Sequence, residues 1–195
     1  MRTVFDIERE VAIPQGASYI ISYPYLIDYF ASKPSLSAGD LVAGAHMAYG
    51  WMPTILDLYP NQSGVSLDAG AELLTKAKQN GFLDDSEISA LASLVNNSFV
   101  GASKLLHFVT PDNFAIWDSR VYFFLHAQRP YASRVNSATN YREYLKTLSD
   151  LRRDSRFPGF HTSINRKIGY RVSTLRALEL VMFLGGSVKR ADNAF

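Results

Sequence analysis

The sequence predicts an all-α fold, a compact multi-helix domain. Three observations predict it. Capping residues and breakers cut the chain into pieces of helical length; apolar residues recur three and four positions apart; and runs of alternating polarity that would read as strands are few. With 195 residues, 47% of them hydrophobic, the chain can bury a sizeable core. It is expected to form a single helical domain over residues 1–195, or two intimately packed helical halves with a site between them.

The helices follow from their ends. Ser18 is a candidate cap for a helix to Ala31, with Tyr19, Tyr23, Leu26, Ile27 and Phe30 as its apolar stripe and Pro24 bending it or delaying its start. Ser37 with Asp40 precedes a long stretch, Leu41 to Tyr59, interrupted at Gly50 and Pro53. Asp68 opens a helix over Ala69 to Gln79 that Asn80-Gly81 ends, and Asp84, Asp85 or Ser86 opens the next, with Ile88, Leu91, Leu94 and Val95 facing inward. After a turn at Asn96-Asn97-Ser98 come a short helix, Gly101 to Val109, a stop at Thr110-Pro111-Asp112, an extended link, and Ser119 to His126 behind an Asp118 cap. Ser137 caps Asn140 to Arg153, and Ser173 begins a last helix to Leu184. Between them, Leu151 to Tyr170 is rich in arginine and irregular around Phe157-Pro158-Gly159-Phe160, whose aromatics either stack on bases from a loop or join the core.

Composition excludes several classes. Without cysteine there is no disulfide framework, thiolate metal site or cysteine nucleophile, and a reducing compartment, the cytoplasm, is expected. Met1 to Glu10 has no apolar run of signal-peptide type. The most apolar stretch, Leu175 to Gly186, holds Arg176 and Glu179 and falls short of the roughly 20 residues of a membrane helix, so no membrane partner is expected. His46, His107, His126 and His161 are scattered without metal-ligand spacing, and no cofactor or metal is expected.

Charge is uneven. Residues 1–119 carry 6 Lys+Arg against 13 Asp+Glu, and residues 120–195 carry 14 against 5. The second half, richer in Arg than Lys, is either a set of solvated helix faces or a phosphate-binding surface.

Two residues carry candidate chemistry. Lys104, in the first turn of its expected helix, meets the positive end of the dipole, which disfavours ammonium and favours a nucleophilic amine. Asp118, at the mouth of the next helix, is favoured as a carboxylate that can stabilise a developing cation. Amine plus carboxylate is the pairing that breaks an N-glycosidic bond.

In Val100-Gly101-Ala102-Ser103-Lys104 followed by Ile116-Trp117-Asp118, the chain resembles the helix-hairpin-helix DNA glycosylase superfamily, in particular its 8-oxoguanine DNA glycosylase branch. The likeness covers about Asn96 to Leu125. It implies the helix-hairpin-helix glycosylase fold, Lys104 displacing a damaged or modified base, Asp118 stabilising the sugar cation, and activity in repair or in defence against modified phage DNA, with or without abasic-site lyase activity. The partner implied is duplex DNA with a flipped base, bound by a monomer. Gly101, Ser103 and Arg120, with Arg166 and Lys167 of the basic half, are the expected DNA-binding residues. The alternative is a non-catalytic helical module that binds nucleic acid or a protein.

Overall fold

The computed structural model describes residues 3–51 and 55–186. Among them are twelve helical segments, no strand, and one isolated antiparallel bridge, Leu58 with Val95. The all-α class is as expected; several boundaries are not.

α1 (Val4–Ile7), a single turn closed by reciprocal Thr3–Asp6 bonds, was not expected. The helix anticipated from Ser18 to Ala31 is two, α2 (Ser18–Ile21) and α3 (Tyr23–Ala31), broken at Ser22. Ser18 is the first helical residue of α2 rather than its cap, and Pro24 sits in the first turn of α3, where it removes no helical bond. α4 (Ala38–Trp51) starts behind reciprocal Ser37–Asp40 bonds and runs through Gly50 without a break. Its expected continuation to Tyr59 is overturned: the Tyr59 amide donates to the Leu94 carbonyl and Leu58 bridges Val95, so tertiary pairing holds this segment out of a helix. The anticipated kink at Pro53 lies outside the described residues.

α5 (Leu67–Asn80) is capped by Ser66 instead of Asp68, and Gly81 closes it in the left-handed region, φ 66°. α6 (Asp85–Leu94) opens on an Asp84–Glu87 capping box. α7 (Phe99–Val109) begins two residues before the expected Gly101, with Ser98 as its cap. α8 (Ser119–His126) opens on Asp118 as expected. α9 (Ala132–Val135) is one unforeseen turn, α10 (Ala138–Leu151) follows its Ser137 cap, and α11 (Phe157–Ile168) is a regular helix where irregular chain was expected. Pro158 is accommodated in its first turn, and Phe157 and Phe160 are buried, so the aromatics serve the core. α12 (Thr174–Gly185) completes the chain.

Two helices organise the packing. α7 touches α3, α4, α5 and α6, and α12 touches α1, α8 and α11. Gly101–Val109 and Leu175–Phe183 are buried throughout, as apolar-all-round helices must be. The buried side chains of both groups form a continuous core. Among the described residues no helix is long and apolar enough to cross a membrane.

Candidate functional site

The segment before Asp118 runs through the interior, so its backbone groups need partners there. The Trp117 amide donates to Ser103 Oγ at 3.0 Å, and Ser103 Oγ donates to the Val100 carbonyl at 3.0 Å. Tyr141 and Tyr144 donate to the Ala115 and Ile116 carbonyls at 3.2 and 3.0 Å, and the Trp117 indole donates to the Val135 carbonyl at 2.8 Å. The Phe114 carbonyl can only accept, so His107 Nδ1 is the donor at 2.7 Å; its Nε2 then takes the Tyr23 hydroxyl at 2.8 Å, which makes His107 neutral. Burial drives the His107 pKa down to about 3. These bonds fix the approach to Asp118 against α7, α9 and α10.

Asp118 Oδ1 then accepts from the amides of Arg120 and Val121, at 2.8 and 2.9 Å. Across from it, Lys104 is 5% exposed. Among the described residues no hydrogen bond or ion pair holds its amine, which lies over the Tyr49 ring, 5.9 Å from the centroid. Both side chains line one open cavity of 610 Å³, together with Ser18, Tyr19, Trp51, Val100, Ser119, Pro130, Ala132 and Val135.

The electrostatics differ from expectation in cause and, for Asp118, in direction. Lys104 lies in the second turn of α7, beyond the end of the dipole. Its pKa is lowered nonetheless, by burial, against the pull of Asp118 and Glu179. Asp118, expected to be held as an anion by the helix amides, is pushed upward by burial, which outweighs those amides, Lys104 and Arg120. The two shifts converge, burial making the amine less basic and the carboxyl more basic.

The other sequence-predicted residues scatter. Val100, Gly101 and Ala102, expected as the hairpin, are helical residues of α7. The turn between α6 and α7 is instead Asn96-Asn97, both left-handed at φ 56° and 46°. Its polar groups are engaged by protein: the Asn96 and Phe99 amides donate to the Asp57 carbonyl and Asn136 Oδ1, both at distances of ordinary bonds (2.9 and 2.8 Å). Gly101 is required by Tyr49, whose ring packs against its Cα; a methyl there would strike the hydroxyl and come within 2.8 Å of Cζ. Gly101 and Ser103 are buried and present nothing to a ligand. Lys167 pairs with Glu8 Oε1 at 2.8 Å and anchors the amino-terminal segment. Arg166 is exposed on α11, away from the cavity lining. Arg120 is exposed beside Ser119, with its guanidinium 4.6 Å from the Phe183 ring centroid.

Sequence reasoning missed the ion pair beneath the site. Arg176 and Glu179, 2% and 1% exposed, bond to each other in α12, and the Arg176 guanidinium also lies over the Tyr23 and Trp51 rings. Burial raises the Glu179 pKa to about 7 against the pull of Arg176, and its charge acts on both Lys104 and Asp118. The available signal was two opposite charges one turn apart in the most apolar helix. Tyr49, Tyr19 and Trp51 gave no signal, being apolar residues on helical stripes like many others.

Compared with protein-family models, with curated proteins and with solved structures, the chain finds no match in any of the three.

Proposed function

We propose that this protein is a DNA glycosylase that excises a damaged or modified base. The observation that carries this reading is the buried Lys104, whose amine has no hydrogen bond or ion pair among the described residues, lining the same cavity as Asp118, with burial lowering the one pKa and raising the other. A volume of 610 Å³ falls in the range of roughly 300–1,000 Å³ typical of small-ligand sites, and the Tyr19 and Trp51 rings give it flat apolar walls for an extruded base.

In the reaction, a water in the cavity carries a proton from the Lys104 ammonium to Asp118, leaving a free amine. Nitrogen attacks C1′ of the sugar as the glycosidic bond breaks; the bonding pair leaves with the base, which takes the proton held by Asp118 and returns that residue to carboxylate. The Asp118 carboxylate stabilises the cationic sugar between bond breaking and bond making. Proton loss from nitrogen and opening of the sugar ring give an iminium. Water hydrolyses it to release the abasic site, or loss of the C2′ proton expels the 3′ phosphate and nicks the strand. The enzyme acts in the cytoplasm as a monomer on duplex DNA.

Borohydride trapping tests this. With duplexes carrying a panel of modified bases and an abasic site, wild type forms a covalent band that Lys104→Gln abolishes and Asp118→Asn reduces at least about 100-fold. If no substrate yields base release or a Lys104-dependent adduct, excision is wrong; salt-sensitive DNA binding without chemistry would mark a non-catalytic nucleic-acid module.

A further inference from the structure

The cavity has a lip that the proposed chemistry does not use. α8 ends at Ala127 in the left-handed region, φ 50°, and the chain turns through Gln128–Tyr131 into α9. Pro130, Ala132 and Val135 of this stretch form part of the cavity wall, while the residues between them face outward: Tyr131 is 51% exposed, and Arg129 and Arg134 are exposed beside it. Both guanidiniums gather on the one ring, 5.1 and 5.4 Å from the Tyr131 centroid. Among the described residues no carboxylate pairs with either, whereas Arg142, Arg153 and Arg156 each have an acidic partner.

Two cations drawn to one ring repel each other, and among the described residues no ion pair neutralises them. The backbone beneath is nevertheless pinned. Arg134 Nη1 donates to Gln128 Oε1 at 2.9 Å, the Arg134 carbonyl accepts from Asn140 Nδ2 at 2.7 Å, and the Val135 carbonyl accepts from the Trp117 indole at 2.8 Å. A pair of unneutralised forks gathered on a half-exposed aromatic ring matches a ligand that carries anions and a planar ring side by side.

We infer that Arg129, Tyr131 and Arg134 form a nucleic-acid contact on the cavity lip, in which the two guanidiniums hold backbone phosphates and Tyr131 stacks on a base next to the one entering the cavity. The inference deepens the glycosylase reading and rests on it for the choice of DNA. An acidic peptide would satisfy the arginines but leave the ring unused.

The test is fluorescence anisotropy across a salt series, using a labelled duplex with a tetrahydrofuran abasic-site analogue. Arg129→Gln with Arg134→Gln lowers the slope of log K against log salt by about 2, one phosphate contact for each arginine. Tyr131→Ala weakens binding about tenfold without changing the slope, and Tyr131→Phe restores it. All three positions are exposed, so the variants fold. Unchanged slope in the double variant, unchanged affinity in Tyr131→Ala, or no duplex binding by wild type at low salt would each overturn the inference. An adduct that persists while the lip variants bind normally removes the lip alone; lip effects without any Lys104-dependent adduct remove the glycosylase alone.

Discussion

Lys104 is in a position that folding alone disfavours. The residue is 5% exposed, its amine lies over a tyrosine ring, and burial penalises its charged form. A side chain kept for packing would do better without the nitrogen. Lys104→Met retains the length and removes the desolvation cost, so it is expected to be at least as stable as wild type, by about 1 kcal/mol in urea unfolding, while losing all trapping. A loss of stability of that size instead would make Lys104 a structural residue. Asp118 is the contrasting case. Its capping role is local, set by the amides of the next two residues but one, and was therefore legible in the sequence; its burial is not local and was not. The same division explains Lys104. Its helix was visible, but the Tyr49 ring above it and Glu179 nearby come from 55 residues before and 75 after in the numbering of the chain.

At the scale of elements, α7 carries the site because it is buried along its length and meets four helices. Its boundaries show how tertiary bonds override local signals. Gly101 looked like the hinge of a hairpin, yet the turn lies earlier, where Asn96 and Asn97 take left-handed conformations and the Asn96 side chain is tied to the Ile55 carbonyl at 2.8 Å. Gly101 is instead the socket for Tyr49. Helix propensity alone predicts that Gly101→Ala gains about 1 kcal/mol. The collision with the Tyr49 hydroxyl and Cζ predicts the reverse, a loss of about 1–2 kcal/mol from overpacking. Adding Tyr49→Phe removes the oxygen and recovers part of that loss, so a double-mutant cycle shows a coupling of about 1 kcal/mol. Additive single effects would mean that the two residues do not meet. The regularity of α11, with its proline in the first turn, was hidden for a similar reason: Phe157 and Phe160 gain a core that the sequence alone does not display.

For the whole molecule, two buried titratable groups set opposite pH responses. His107, on α7, is held between Tyr23 of α3 and the Phe114 carbonyl; its folded pKa is about 3 against an ordinary 6.5. The unfolded chain thus binds a proton that the folded chain refuses, and stability rises with pH across that interval. Glu179, on α12, has a folded pKa of about 7 against 4.5. Here the folded chain keeps a proton that the unfolded chain has released, and stability falls as pH rises from 4.5 to 7. From pH 4.5 to 6.5 the two slopes oppose one another in wild type. Removing one group should expose the other. His107→Gln keeps a donor and an acceptor for its two partners, and its stability should fall with rising pH, relative to wild type, by about 1 kcal/mol per pH unit. Glu179→Gln alone would strand the buried Arg176 charge, so it is paired with Arg176→Met, which removes both ions together. That double variant should gain stability with rising pH at a similar rate. Urea midpoints measured at intervals across the window decide it: slopes of opposite sign in the two variants place the opposed protons on α7 and α12, and parallel slopes exclude that assignment.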